Sequence, residues 1–114
     1  MNKNFWVALD ALVAESKVII DRPRGSIHPR YADFSYPLDY GYIENTTSMD
    51  GGGIDVWRGS SAAKIDAVIC IVDLIKRDCE IKILLGCTED EKRIIYTLHN
   101  QTEFMKGIMI ERER

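Results

Sequence analysis

The chain has 114 residues, 46% of them apolar, and its 15 basic and 18 acidic residues leave a net charge of -3. That supply of apolar residues suits one packed domain over residues 1–114, while the acidic balance argues against a nucleic-acid partner, whose binders show a basic excess. No segment reaches the ~18 apolar residues needed to cross a bilayer as a helix, so no membrane partner is expected.

Phe5, Leu9, Leu12 and Val13 recur at helical spacing, which predicts a helix over 4–15 with Asn2 or Asn4 at its start. Asp10 and Glu15 interrupt the apolar run, and no basic segment precedes it, so it does not read as a signal peptide. Lys17 to Asp21 is short and β-branched and reads as a strand. All three prolines, Pro23, Pro29 and Pro37, fall within 22–39, which predicts a stiff irregular connection. Strands are then expected at Tyr40 to Ile43, from Ile54 to Trp57, over Ile65 to Ile75, and over Glu80 to Leu85 after a tight turn at Lys76 to Asp78.

Thr88-Glu89-Asp90-Glu91 has the form of a capping box and predicts a helix to about His99, with Ile94, Ile95 and Leu98 facing the core. Gly107 to Ile110 would close the sheet. Strands run together rather than alternating with helices, so the expected class is α+β with a mostly antiparallel sheet. So many short strands in a small chain suggest a partly closed, OB-like barrel with flanking helices. A domain this small buries a modest share of its surface, so a homo-oligomer is expected. Cys70, Cys79 and Cys87 form no C-x-x-C pair and read as free thiols, which suits the cytoplasm.

The densest polar stretch runs from Asp21 to Asp55. Arg22, Arg24, His28 and Arg30 crowd one proline-punctuated segment, three tyrosines fall within Tyr36 to Tyr42, and Asp50 and Asp55 flank three glycines. Each feature has an ordinary reading: a solvated loop for the arginines, packing for the tyrosines, a turn for the glycines. Together they form a chemistry. Arginine forks and tyrosine hydroxyls supply donors to phosphate oxygens, and magnesium takes one or two carboxylates plus water and substrate phosphate.

The block YPLDYGYIENTTSMDGGGIDV resembles the signature of soluble (family I) inorganic pyrophosphatases, which reads Y-P-x-x-Y-G-(Y/F)-I and then D-G-D-P-x-D-V. Tyr36, Tyr40, Gly41, Asp50, Gly51, Asp55 and Val56 fall at matching places. Upstream, VIIDRP resembles the family's first strand and puts Asp21 at an early acidic position, and HPRY puts Arg30 where a substrate-binding lysine stands. Downstream, Glu80-Ile81-Lys82 resembles an acidic-x-Lys step. The resemblance implies a magnesium-dependent hydrolase of pyrophosphate or a related small diphosphate, acting by in-line attack of water on phosphorus. Asp50, Asp55, Glu80 and Asp21 would hold the metal. Arg30, Tyr36, Tyr40 and Lys82 would bind phosphate, joined by Arg24 from the same segment. Asp50, Asp55 and Tyr40 would carry the catalysis.

Two departures bear on this expectation. Gly52 stands where the family has an aspartate that acts on the attacking water, and Asn100-Gln101-Thr102 occupies the region of a Tyr-Lys pair that holds phosphate. A catalytically weak or inactive phosphate-ligand module is therefore the alternative, and a single-stranded nucleic-acid binder that stacks bases on exposed tyrosines a more distant one.

Overall fold

Trp6, Leu9 and Val13 line one stripe of helix α1 (Lys3–Ala14) and press it onto a sheet whose other face carries helix α2 (Glu89–Leu98). The computed structural model describes residues 3–113, so the proposed cap at Asn2 lies outside the described residues, and Asn4 falls within the helix rather than before it. The strands are β1 (Val18–Arg22), β2 (Asp39–Ile43), β3 (Ile54–Arg58), β4 (Ile65–Asp73), β5 (Asp78–Leu85) and β6 (Met105–Glu111).

They form one sheet in the order β1-β2-β3-β5-β4-β6. All neighbours are antiparallel except β3 and β5, which run parallel with Val56 opposite Ile83 and Trp57 opposite Leu84. The α+β class and the mostly antiparallel sheet are as expected. The barrel is not: the sheet is open, with β1 and β6 as its edges.

Alternation along the strands divides the core in two. Ile43, Val56, Val68 and Ile83 point to the α1 side with Trp6. Trp57, Ala67, Ile69, Ile71 and Leu84 point to the α2 side with Ile95, Leu38 and Tyr36. Ile95 is fully buried, but Ile94 is 45% exposed and does not face the core as the periodicity suggested. The capping box is present, with Thr88 Oγ1 accepting from Glu91 N–H and Glu91 accepting from Thr88 N–H. The same Glu91 carboxylate also accepts from the backbone of Ser60, which ties the helix start to the β3–β4 connection.

Two contacts close the fold. Gly41 is pressed against β1 so tightly that a Cβ there would lie 1.8 Å from the Ile19 carbonyl oxygen. The guanidinium of Arg112, just past β6, makes two 2.8 Å bonds to the Asp10 carboxylate of α1. At the β6 edge, the Asn100 side-chain amide donates to the Gly107 carbonyl at 3.1 Å and accepts from the Gly107 N–H at 3.0 Å. A side chain thereby stands where a neighbouring strand would pair.

Candidate functional site

The α2 face of the sheet changes from core to charge as β5 runs back toward its start. Leu84 is in the core, and the next three residues on that face are Lys82, Glu80 and Asp78. Strand register sets their neighbours. Asp55 sits opposite Tyr42 on β2, and Tyr40 opposite Trp57 on β3, all on this same face. Sequence-distant residues 40, 55 and 82 are thus brought into contact.

Lys82 is the centre. Its Nζ donates to the Tyr40 hydroxyl at 2.7 Å and to the Asp55 carboxylate at 2.7 Å, and it stands 3.9 Å from Glu80 and 5.2 Å from the Tyr40 ring centroid. Its side chain is only 8% exposed and that of Glu80 only 4%. Burial on this scale is tolerated by paired charges and strongly disfavours single ones. A second ammonium, Lys76, stands 3.7 Å from both Asp78 and Glu80.

The electrostatics follow from these positions. Burial pushes the Glu80 carboxyl above its usual range, with Lys82 opposing and Asp55 adding to the rise. Burial and the neighbouring Asp55 charge hold the Tyr40 phenol firmly protonated. Asp50 is held below the carboxylate range because its oxygen accepts from Ser48 Oγ at 2.8 Å and Gly52 N–H at 2.9 Å. Partial burial works against the charge of Lys76, but Glu80 and Asp78 outweigh it and its pKa rises.

The structure therefore gathers Tyr40, Asp55, Glu80 and Lys82, with Asp50 on the neighbouring loop close enough to shift the titration of Glu80. Tyr36 is buried among Phe34, Tyr40 and Trp57 and backs the Tyr40 ring at 5.5 Å, a packing role rather than an exposed donor. Asp21 is the exposed extra residue of a bulge in β1. Arg24 gives its backbone N–H to Asp39, and Arg30 gives its own to His28 Nδ1. Among the described residues no hydrogen bond or ion pair joins the side chains of Asp21, Arg24 or Arg30 to the Lys82 cluster. The segment that carries the arginines folds on itself, with Gly25 N–H donating to the Tyr36 carbonyl and Tyr36 N–H to the Ser26 carbonyl.

Lys76 was not foreseen as part of the site. Part of the signal was present in the alternation Asp78, Glu80, Lys82, whose period of two puts three charges on one face of β5. The turn expected at Lys76 to Asp78 lies at Leu74 to Arg77, so Lys76 sits in it as expected and β5 begins at Asp78. Asp73 closes that turn by accepting from the N–H groups of Ile75 and Lys76.

The donor set fits magnesium in kind. Hard oxygen ligands lie on one face, magnesium needs only one or two protein carboxylates, and the buried Oδ1 of Asp78 has no hydrogen-bond partner. In the arrangement described, the carboxylates are drawn to lysines, and no three acidic, histidine or cysteine side chains among the described residues converge on one point. A groove of about 770 Å³ between residues 33–37 and α2, lined by Phe34, Pro37, Arg93 and Leu98, contains none of the clustered carboxylates. No model of a known protein family matches the sequence, and no curated protein matches it.

Proposed function

We propose that the chain is a magnesium-dependent hydrolase of pyrophosphate or a related small diphosphate, with its site on the α2 face of the sheet. The observation that carries this reading is Lys82, buried and pinned at 2.7 Å to both Tyr40 and Asp55 beside a buried Glu80. A buried ammonium has three N–H donors to satisfy, and here a phenol and carboxylates supply the partners. Held between a phenol and two carboxylates, the same ammonium is a preset donor that would suit a phosphate oxygen.

Asp50 and Asp55 would hold magnesium, which when bound would supply positive charge to the phosphoryl oxygens. Lys82 Nζ and the Tyr40 hydroxyl would donate to the same oxygens and fix the phosphate for in-line attack. Gly52 offers no side chain to take a proton from the attacking water. Glu80, whose proton affinity burial raises, would take that proton as the new P–O bond forms and the bridging P–O bond breaks, leaving phosphate as the departing group. Phosphate release from pyrophosphate with magnesium tests the reading; release should fall at least a hundredfold in Asp55→Ala. No release from any member of a diphosphate panel would overturn it.

Gly52 favours a second reading, a phosphate-ligand module that binds without turnover. Calorimetry would then show magnesium-dependent binding of a diphosphate with no phosphate released. A homo-oligomer belongs to the same proposal, supported by the apolar Val72, Ile81 and Ile108 left exposed on the α1 side; sedimentation of the purified chain tests it.

Among the described residues no helix is long and apolar enough to cross a membrane.

A further inference from the structure

Helix α1 covers only part of the sheet face it packs on. Beyond its core residues Val68 and Ile83, strands β4, β5 and β6 leave a groove of about 490 Å³, lined by Cys70, Val72, Cys79, Ile81, Lys106 and Ile108. Met49, from the loop between β2 and β3, lines the same groove and adds a third sulfur to it. Strand register places the two thiols. Cys70 on β4 pairs with Ile81 on β5, and Val72 pairs with Cys79. Residues two apart on a strand share a face, so Cys70 and Cys79 are diagonal neighbours on one face of adjacent strands. Such neighbours stand about 7–8 Å apart, with their Cβ atoms somewhat closer. Both thiols are free, Cys70 partly buried and Cys79 exposed. Cys87 lies in the core on the α2 side, away from them.

That spacing decides the chemistry. A disulfide needs Cα atoms roughly 4.4–6.8 Å apart, so a diagonal pair is too far apart for a sulfur–sulfur bond. An ion between the sulfurs puts two metal–sulfur bonds where a disulfide has one bond of about 2.0 Å, and so spans the longer gap. Zinc takes four ligands, whereas among the described residues no three acidic, histidine or cysteine side chains converge on one point. Monovalent copper is held by as few as two thiolates, and soft sulfur donors select it. We propose that Cys70 and Cys79 form a binding site for one Cu(I) ion, in the groove on the α1 side of the sheet and independent of the Lys82 cluster on the other side. On binding, each thiol releases its proton to water, and neither copper nor sulfur changes oxidation state. Burial pushes the Cys70 thiol up, so it stays protonated until the metal displaces the proton. Two thiolates and one monovalent cation leave a single negative charge, and Lys106 in the groove lining opposes it.

The experiment is anaerobic titration of the reduced whole chain with Cu(I) in competition with a chromogenic Cu(I) chelator, with native mass spectrometry to count ions per chain. The wild type and Cys87→Ala should each take one ion per chain. Cys70→Ser and Cys79→Ser should each lose affinity by about a hundredfold or more, beyond what loss of a merely supporting residue costs. Circular dichroism confirms that each variant is folded, and the exposed Cys79 supplies the decisive variant should Cys70→Ser fail to fold. Unchanged affinity in Cys79→Ser would overturn the site. So would one ion shared by two chains, which would mean that the metal bridges copies, and so would failure of the wild type to compete with the chelator.

Discussion

The indole N–H of Trp57 donates to Nε2 of His99 at 3.1 Å, joining the middle of the sheet to the C-terminal end of α2 in the buried core. The bond fixes the tautomer: Nε2 accepts, so the neutral ring carries its proton on Nδ1, which faces Met105 Sδ at 3.3 Å. Burial lowers the His99 pKa to about 4, with Lys82 adding to the fall.

Stability should therefore depend on pH below neutrality. The unfolded chain takes up a proton near pH 6.5, while the folded chain resists until about pH 4. Between those values the unfolded state binds more protons, so stability falls as pH drops, by on the order of 3 kcal/mol in total. Denaturant unfolding of the wild type at pH 7, 6, 5 and 4 should show this loss, and His99→Gln should flatten it. An equal pH slope in both would show that His99 is not the group responsible.

Lys82→Met should destabilise the chain by roughly 3 kcal/mol, because it leaves Asp55 and Glu80 as partly buried carboxylates without their shared cation. The double variant Lys82→Met, Asp55→Asn should recover part of the loss. Urea midpoints of the wild type, the two single variants and the double variant give the coupling directly. Additive losses would mean that the 2.7 Å contact carries no net energy.

On the hydrolase reading proposed above, Gly52→Asp should raise turnover of pyrophosphate. Gly52 does not adopt the left-handed backbone of its neighbour Gly51, whose φ is 85°, and a Cβ at 52 would meet only Asp50 Oδ1, at 3.3 Å. A side chain there is accommodated once the Asp50 carboxylate shifts by a few tenths of an ångström. Steady-state rates should rise in Gly52→Asp and remain at the wild-type level in Gly52→Asn. Equal rates in all three would show that the missing aspartate is not what limits the site.

Asn100→Ala should cost about 1–2 kcal/mol, since it removes both partners of Gly107 and leaves the β6 edge open. Light scattering should show more self-association at high concentration. A variant as stable and as dispersed as the wild type would mean that water replaces the amide without penalty.

Much of this architecture was legible from residue patterns. The Thr88–Glu91 box marked the start of α2 because its hydrogen bonds are local, and the strands around Tyr40, Asp55 and Lys82 followed from β-branched and apolar runs. What was not legible depends on strand order. The expectation of a barrel came from counting short strands, but closure depends on which edges meet, and the Asn100 amide occupies the edge at Gly107. Likewise Asp21 and Arg30 were grouped with the site through the family resemblance, and Arg24 through its place in the same segment. Asp21 lies in a register shift of β1, and the backbone N–H groups of Arg24 and Arg30 bond to Asp39 and His28, so the strand pairing ties none of them to Lys82. The contact of Tyr40 with Lys82 spans 42 residues and exists only because β5 inserts beside β3.

That insertion also makes the cluster a clock for folding. The β2–β3 and β4–β5 hairpins each join segments near in sequence, whereas the parallel β3–β5 seam joins the two hairpins and completes the cluster of Tyr40, Asp55 and Lys82. Non-local seams are slow to form, because the chain between them loses its freedom before any contact is gained. Trp57 lies in that seam, against Tyr40 at 4.5 Å and opposite Leu84. Its fluorescence in a stopped-flow experiment should therefore report the assembly of the Lys82 cluster itself, as a late phase after the hairpins have formed.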